Sequence, residues 1–229
     1  KLLQLVDIGH YFAINNNSEI IEGKHIKLAL VETEAMHGLI KKKVLDMYKD
    51  KKYIVDLSGT KVGQINGLSV MDYGDIVIGQ QHRITVNTFA GSEGIINIER
   101  ESNMSGSIHN KGILILSGFI GEFIGQKSQI SFNASITFEQ LYSGIDGDSA
   151  SAAELLALIS SLGDIPLKQS LAITGSVNQK GEIQPIGGVN AKIEGYFDIC
   201  SIFGLDGSHG VIIPATNVED LVLKDSVIE

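Results

Sequence analysis

Gln129-Ile-Ser-Phe-Asn-Ala-Ser-Ile-Thr-Phe-Glu139 alternates apolar and polar residues without a break. Ten residues further on, Ser149-Ala-Ser-Ala-Ala-Glu-Leu-Leu-Ala-Leu-Ile-Ser-Ser-Leu162 is rich in Ala and Leu. The first has the period-two pattern of a half-buried strand, and the second has the composition of a helix. Working outward, His82 to Phe89 repeats the period-two pattern. Gly94 to Ile98 is short and β-branched, and His109 to Ile124 spaces Ile113, Leu114, Leu116, Ile120 and Phe123 as a helix would. Thr60 to Asn66 predicts a turn and strand, continued at Leu68-Ser69-Val70. Leu171 to Val177 and Gly181 to Gln184 predict a hairpin around Asn178-Gln179-Lys180. Gly188 to Phe203 predicts a helix, and Gly210 to Pro214 a final buried strand. Strands and helices mix without strict βαβ alternation, which points to an α+β layer fold.

Residues 1–53 differ from the rest. Leu2, Leu3, Leu5, Val6, Tyr11, Phe12 and Ile14 predict a helix that Asn15 to Ser18 terminate, and Ile26 to Val31 a second, short helix. Two such helices bury too little surface to fold alone. Residues 1–53 are therefore expected to be the tail of a domain that continues upstream, and 54–229 a complete domain. Charge divides at the same place: residues 1–53 hold nine Lys/Arg against seven Asp/Glu, and the other 176 hold nine against twenty. An acidic body is a poor nucleic-acid binder, because phosphate contacts need clustered cations. The Lys41-Lys42-Lys43 and Lys49, Lys51, Lys52 runs are expected to be a solvated helix face. Cys200, the single cysteine, excludes an internal disulfide framework and a CxxC zinc site, and its apolar neighbours predict a core thiol. The histidines form no i, i+4 metal pair, so no metal or cofactor is expected. No signal peptide is visible, and the longest apolar run, Ile113 to Gly121, is far short of the roughly 20 residues of a bilayer span. The expected location is cytoplasmic.

Two motifs carry chemistry. Ser149 sits in Asp146-Gly147-Asp148-Ser149-Ala150-Ser151-Ala152-Ala153, where a loop enters a helix. Such a serine can be merely an N-cap. It can also be a nucleophile, because free N–H groups and the helix dipole at that place stabilise an oxyanion. The residues 147–151 do not form the GxSxG elbow, since position 151 is Ser. The second motif is Gln184-Pro-Ile-Gly-Gly-Val-Asn-Ala-Lys192-Ile-Glu194. On a helix, Val189, Lys192, Ile193 and Tyr196 share one face, so the Lys192 stem lies against apolar neighbours. One reading is a snorkelling surface lysine. The other is a desolvated amine, neutral enough to take a proton from a hydroxyl.

Asp-Gly-Asp-Ser-Ala-Ser at 146–151, Thr174-Gly175-Ser176, and Pro185-Ile186-Gly187-Gly188 with a lysine four residues on together resemble the Lon peptidase family. The 43-residue interval from Ser149 to Lys192 fits the same family, and the resemblance covers residues 54–229. The serine motif is similar to the B-type branch of archaeal Lon and bacterial Lon-like proteins. The Pro-Lys-Asp-Gly-Pro leader of the A-type branch is missing. The resemblance implies a Lon-type proteolytic domain of mixed sheets and packed helices, with Ser149 as nucleophile and Lys192 as general base. It implies Thr174 as a residue that orients the lysine and Asp146 as an acidic position near the site. Asp146 stands where the B-type branch usually has Glu, and a carboxylate close to Lys192 would hold it protonated. Asp148 is expected to cap the helix and complement its dipole.

Residues 1–53 then look like the end of the helical lid of an AAA+ ATPase module. No G-x-x-x-x-G-K-[ST] loop occurs, so ATP and Mg are expected to act only through a module outside this chain. The implied partners are unfolded proteins or peptides and further copies of the chain in a hexameric ring, with neither nucleic acid nor membrane. Two other readings are a catalytically degenerate Lon-like scaffold that binds unfolded protein, and a non-enzymatic α+β module resembling a ribosomal-protein domain.

Overall fold

The computed structural model describes residues 2–74, 76–125 and 131–228. Two helices, α1 (Leu2–Asn15) and α2 (Gly23–Lys49), lead into strands β1 (Thr60–Lys61), β2 (Gln64–Asp72), β3 (Val77–Ala90) and β4 (Gly94–Asn97). Helices α3 (Ile98–Glu101) and α4 (Ser107–Gly125), strand β5 (Phe132–Phe138) and helix α5 (Ser151–Gly163) follow. The remainder comprises β6 (Leu167–Lys168), β7 (Leu171–Ile173), β8 (Ser176–Val177), β9 (Ile183–Gln184), α6 (Val189–Phe203), β10 (Gly210–Ile212), a 3₁₀ turn (Ala215–Asp220) and α7 (Asp225–Ile228). The α+β reading holds.

The main sheet has the order β10-β7-β2-β3-β5-β4, and β1-β6 and β8-β9 form two small sheets. β2, β7 and β10 run parallel, whereas β3 is antiparallel to both β2 and β5. Each strand sends alternate residues to opposite faces. On one face Ile65, Ile84, Val86, Ile136, Phe138 and Ile173 join Ile113 and Leu116 of α4 and Ala153, Ala157 and Leu158 of α5 in the larger core. On the other face Leu68 and Ala172 pack with Tyr196 and Cys200 of α6. Cys200 is the core thiol its neighbours predict, and burial pushes it up to about 11.

Two glycines decide how closely α6 can lie on the sheet. A Cβ on Gly79 of β3 would stand 2.0 Å from the Ala191 carbonyl oxygen, and one on Gly195 of α6 would stand 2.3 Å from the Gly79 carbonyl oxygen. Backbone therefore packs on backbone here, which no larger residue permits.

Several elements depart from their sequence reading. α2 is a 27-residue helix, not a short one. Its polar middle hides the periodicity, and its last turns are held by tertiary packing, with Val44 and Tyr48 against Ile199 of α6 and the Tyr48 hydroxyl donating to the Gln81 carbonyl (2.8 Å). Lys41 pairs with Asp198 on α6, whereas Lys42 and Lys43 are solvated. Residues 171–184 are not one hairpin. β7 joins the main sheet, and only β8 and β9 pair across the Asn178 turn. β10 is a half-exposed edge strand, because its outer neighbour is solvent. Gln129 and Ile130 lie outside the described residues, and from Phe132 the predicted strand is present. Among the described residues no helix is long and apolar enough to cross a membrane.

Candidate active site

β7 ends at Ile173, and the chain continues through Thr174 and Gly175 between the starts of two helices. On one side the Gly175 N–H donates to the Ser149 carbonyl (2.8 Å), and the Ala152 N–H donates to the Gly175 carbonyl (3.0 Å). These bonds extend the sheet edge into the turn that carries Ser149. α5 itself starts at Ser151, with Ala150 as its cap residue and no side-chain cap. Ser149 is thus not an N-cap, and its hydroxyl is free for other work. The first helical N–H groups are already taken, with Ser151 bonded to the Asp148 carbonyl and Ala152 to Gly175. The N–H groups of Ser149 and Ala150 have no acceptor among the described residues.

On the other side stands Lys192 in the first turn of α6. The Pro185–Gly188 elbow before it is held by Asn217, whose side chain accepts from the Ile186 N–H (2.9 Å) and donates to the Ile186 carbonyl (3.0 Å). Gly188 then takes φ +70°, a left-handed conformation suited to glycine, while packing on Val70. Val189, Lys192, Gly195, Tyr196, Ile199 and Cys200 form the buried stripe of α6, with Ile193 half-buried beside it. Lys192 is 1% exposed. It does not snorkel.

The two motifs meet at the ends of these elements. Lys192 Nζ lies 2.8 Å from Ser149 Oγ and 3.0 Å from Thr174 Oγ1. The Thr174 hydroxyl donates to the Ser149 carbonyl (3.0 Å), so its oxygen is left to accept from the lysine. Burial pulls the Lys192 amine down to about 8, partly opposed by the Asp148 carboxylate. A neutral amine is therefore accessible near physiological pH.

The two acidic positions part company. The Asp146 carboxylate accepts from the backbone N–H groups of Ile108 (3.0 Å) and His109 (3.1 Å) at the start of α4. Backbone hydrogen bonds from Gly147 and His109 hold it below the usual carboxylate range. It caps a neighbouring helix and makes no contact with Lys192 among the described hydrogen bonds. Asp148, expected to cap α5, instead accepts from Ser176 Oγ (2.8 Å) on β8 and is the carboxylate that acts on Lys192.

Other supports escaped the sequence reading. Ser151 Oγ accepts from the Val177 N–H (2.9 Å), tying α5 to β8. Asn217 fixes the elbow. His109 and Glu154, both buried, face one another behind the turn that carries Ser149. Ser151 stands in the serine motif, but the supporting roles of Asn217, His109 and Glu154 had no local signal. An asparagine five residues after a strand, a lone histidine at a helix start and a glutamate in a first turn all have ordinary solvent-exposed explanations.

A family profile described as "Lon protease (S16) C-terminal proteolytic domain" matches residues 39–226. A Lon protease homologue of Escherichia coli (strain K12) is 41% identical over 215 residues, covering 93% of this chain and 37% of that protein. One from Haemophilus influenzae is 43% identical over 195 residues, 84% of this chain and 32% of that protein. An archaeal Lon protease of Methanocaldococcus jannaschii is 37% identical over 189 residues, 79% of this chain and 27% of that protein. The chain thus spans about a third of the length of the curated relatives it matches.

Proposed function

Because this chain belongs to the Lon protease (S16) family, as part of its proteolytic domain, we propose that it cleaves peptide bonds with Ser149 as nucleophile and Lys192 as general base. The observation that carries this reading is the 2.8 Å contact between Lys192 Nζ and Ser149 Oγ, made by an amine that burial pulls down to about 8. A neutral amine has two N–H groups and one lone pair. Because the Thr174 oxygen takes an N–H, the lone pair is turned towards the Ser149 hydroxyl. Ser149 Oγ attacks the scissile carbonyl carbon while its proton passes to Lys192. The ammonium so formed protonates the leaving amine, the C–N bond breaks, and an acyl-serine remains. Water then attacks that ester with Lys192 again as base. The oxyanion is met by the N–H groups of Ser149 and Ala150 at the start of α5. Thr174 orients the base. Asp148 sets its charge, and Asp146 holds the nucleophile turn from α4.

In this reading the substrates are peptides and unfolded proteins. Dependence on ATP, in this reading, comes from an ATPase module outside this chain, and the active form is a hexameric ring in the cytoplasm. The test is hydrolysis of a casein-like unstructured protein by the wild type, Ser149→Ala and Lys192→Ala. Cleavage abolished by either substitution is expected. Cleavage that survives Ser149→Ala would overturn the assignment, and an inactive wild type would favour a degenerate, ring-forming scaffold.

A further inference from the structure

The segment 146–154 carries Ser149 near its middle and rests at both ends on one residue of α4. At its front the Asp146 carboxylate accepts from the His109 N–H (3.1 Å). Past Ser149, Glu154 in the first turn of α5 faces the His109 ring, with Oε1 3.6 Å from Nε2. The ring also has a hydrogen bond to the Gly147 backbone. With Nε2 facing Glu154, that bond falls to Nδ1. The fit is close: a Cβ on Gly106 would stand 2.2 Å from the Asp146 carboxyl carbon.

His109 and Glu154 are each 1% exposed, and Nε2 and Oε1 have no hydrogen-bond partner among the described residues. Two facing orphan atoms in a buried site are costly unless something joins them. A neutral imidazole that carries its hydrogen on Nδ1 presents a lone pair at Nε2. The group able to satisfy it is a carboxyl that still has its proton, and closing the gap by about half an ångström makes a hydrogen bond.

The surroundings favour the neutral pair. Burial raises Glu154 to about 8, helped by the Glu99 carboxylate on α3, and lowers His109. Glu99 is itself held by Thr137 Oγ1 and the Phe138 N–H (both 2.8 Å) and is reached by Asn97 Nδ2 (3.3 Å). Asp146 faces the cluster from the nucleophile turn. His82 on β3 lies across the Phe138 ring and is kept neutral by burial, at about 4. The cluster offers no group of ligands that could hold a metal ion.

We propose that Glu154 shares a proton with His109 Nε2, and that this buried link positions the turn bearing Ser149. The inference rests on the Ser149–Lys192 reading. Under it, two ionisations near the same pH oppose each other: Lys192 must lose a proton to act, and Glu154 must keep one. The rate should therefore pass through a narrow maximum near pH 8 and fall on the alkaline side.

The experiment is a pH profile of kcat and KM on a short peptide, from about pH 6 to pH 10, using the full-length protein. Wild type, Glu154→Gln and His109→Phe are compared, with Ser149→Ala as the inactive reference. Glutamine keeps an N–H donor in the same shape but cannot ionise, so Glu154→Gln should lose the alkaline fall while the acid limb due to Lys192 stays. His109→Phe should lower kcat by about 10- to 100-fold with little change in KM, as a displaced nucleophile would. An unchanged alkaline limb in Glu154→Gln, or wild-type kcat in His109→Phe, would overturn the proposal. Nitrogen NMR of His109 in the Ser149→Ala protein reads the link without turnover. A neutral ring with its hydrogen on Nδ1 is expected, and a hydrogen on Nε2 would sink the link. If the wild type proves as inactive as Ser149→Ala, the dyad reading fails while the NMR result still decides the link.

Discussion

Glu154 on α5 and Lys192 on α6 are opposite charges buried over opposite faces of one sheet, and burial draws both to about 8. Desolvation does not distinguish their signs, because it favours whichever form is neutral. What separates them is their neighbours. The Lys192 amine ends between two hydroxyls, of which Ser149 is half-exposed to solvent. The Glu154 carboxyl ends against the enclosed ring of His109. Under the proposed function the same physical shift yields a base in one place, and under the inferred Glu154–His109 link a fixed structural proton in the other.

The comparison is broken most severely by deleting the dyad. Ser149→Ala and Lys192→Ala should each reduce kcat/KM by roughly 10³-fold or more, and the double variant should be little worse, because the pair acts as a unit. Near-wild-type turnover in Lys192→Ala would move the base elsewhere.

A next-largest effect should follow from displacing one side only. Gly79→Ala places a methyl group 2.0 Å from the Ala191 carbonyl oxygen and 2.9 Å from the Lys192 Cα, backbone contacts that only a movement of α6 can relieve. A shift of α6 by about 1 Å should cost on the order of 10²-fold in kcat. On the α4 side, Gly112→Ala meets Asp148 only at ordinary contact distance, 3.6 Å, and should leave activity intact while steadying the helix. Equal effects of the two substitutions in a peptide assay would show that the lysine side is not the tighter one.

Stability offers a mirror-image test. Lys192 has a lower pKa folded (about 8) than unfolded (10.5), so below pH 8 the folded state carries the full penalty, which fades as pH rises to 10.5. Lys192→Met should therefore be more stable than wild type at pH 7, by at most about 3 kcal/mol, with the gap closing towards pH 10.5. Glu154 is raised instead, from 4.5 to about 8. The native state keeps a proton that the unfolded chain sheds, so wild type should lose stability relative to Glu154→Gln as pH rises from 4.5 to 8. Urea titrations at several pH values read both slopes, and slopes of the same sign would refute the comparison.

The smallest effect is expected at Thr174. Thr174→Val removes an acceptor that favours the ammonium, so the acid-limb midpoint should move down. At the same time kcat should fall by about 10-fold, as is typical when an orienting partner is lost. An upward midpoint would mean that the lysine does not use Thr174.

Much of this was legible along the chain, for a local reason. The alternation at 132–138 and the apolar spacing of α4 and α5 follow from which face a residue presents, and that depends only on its near neighbours. α2 reads as short because its polar middle carries no such signal, and its end is fixed by Tyr48 reaching Gln81 on β3. Residues 171–177 read as one strand of a hairpin, yet the chain breaks at Thr174 and Gly175. The main sheet claims the first half and β9 claims the second. Ser149 and Lys192 were legible through their motifs, whereas Glu154, inside an Ala- and Leu-rich run, had only the pattern of a helix residue.

By itself, then, the sequence determined most of the elements, the family resemblance and the two residues that could form a dyad. It did so because periodicity and motif spacing are properties of neighbouring positions. Only the tertiary structure decided that Lys192 is buried against Ser149 and does not snorkel, that Asp146 caps α4 while Asp148 faces the lysine, and that Glu154 meets His109. Those facts depend on distances between residues far apart in the chain, and on the water that packing removes from around them. Neither quantity is written in any one stretch of sequence.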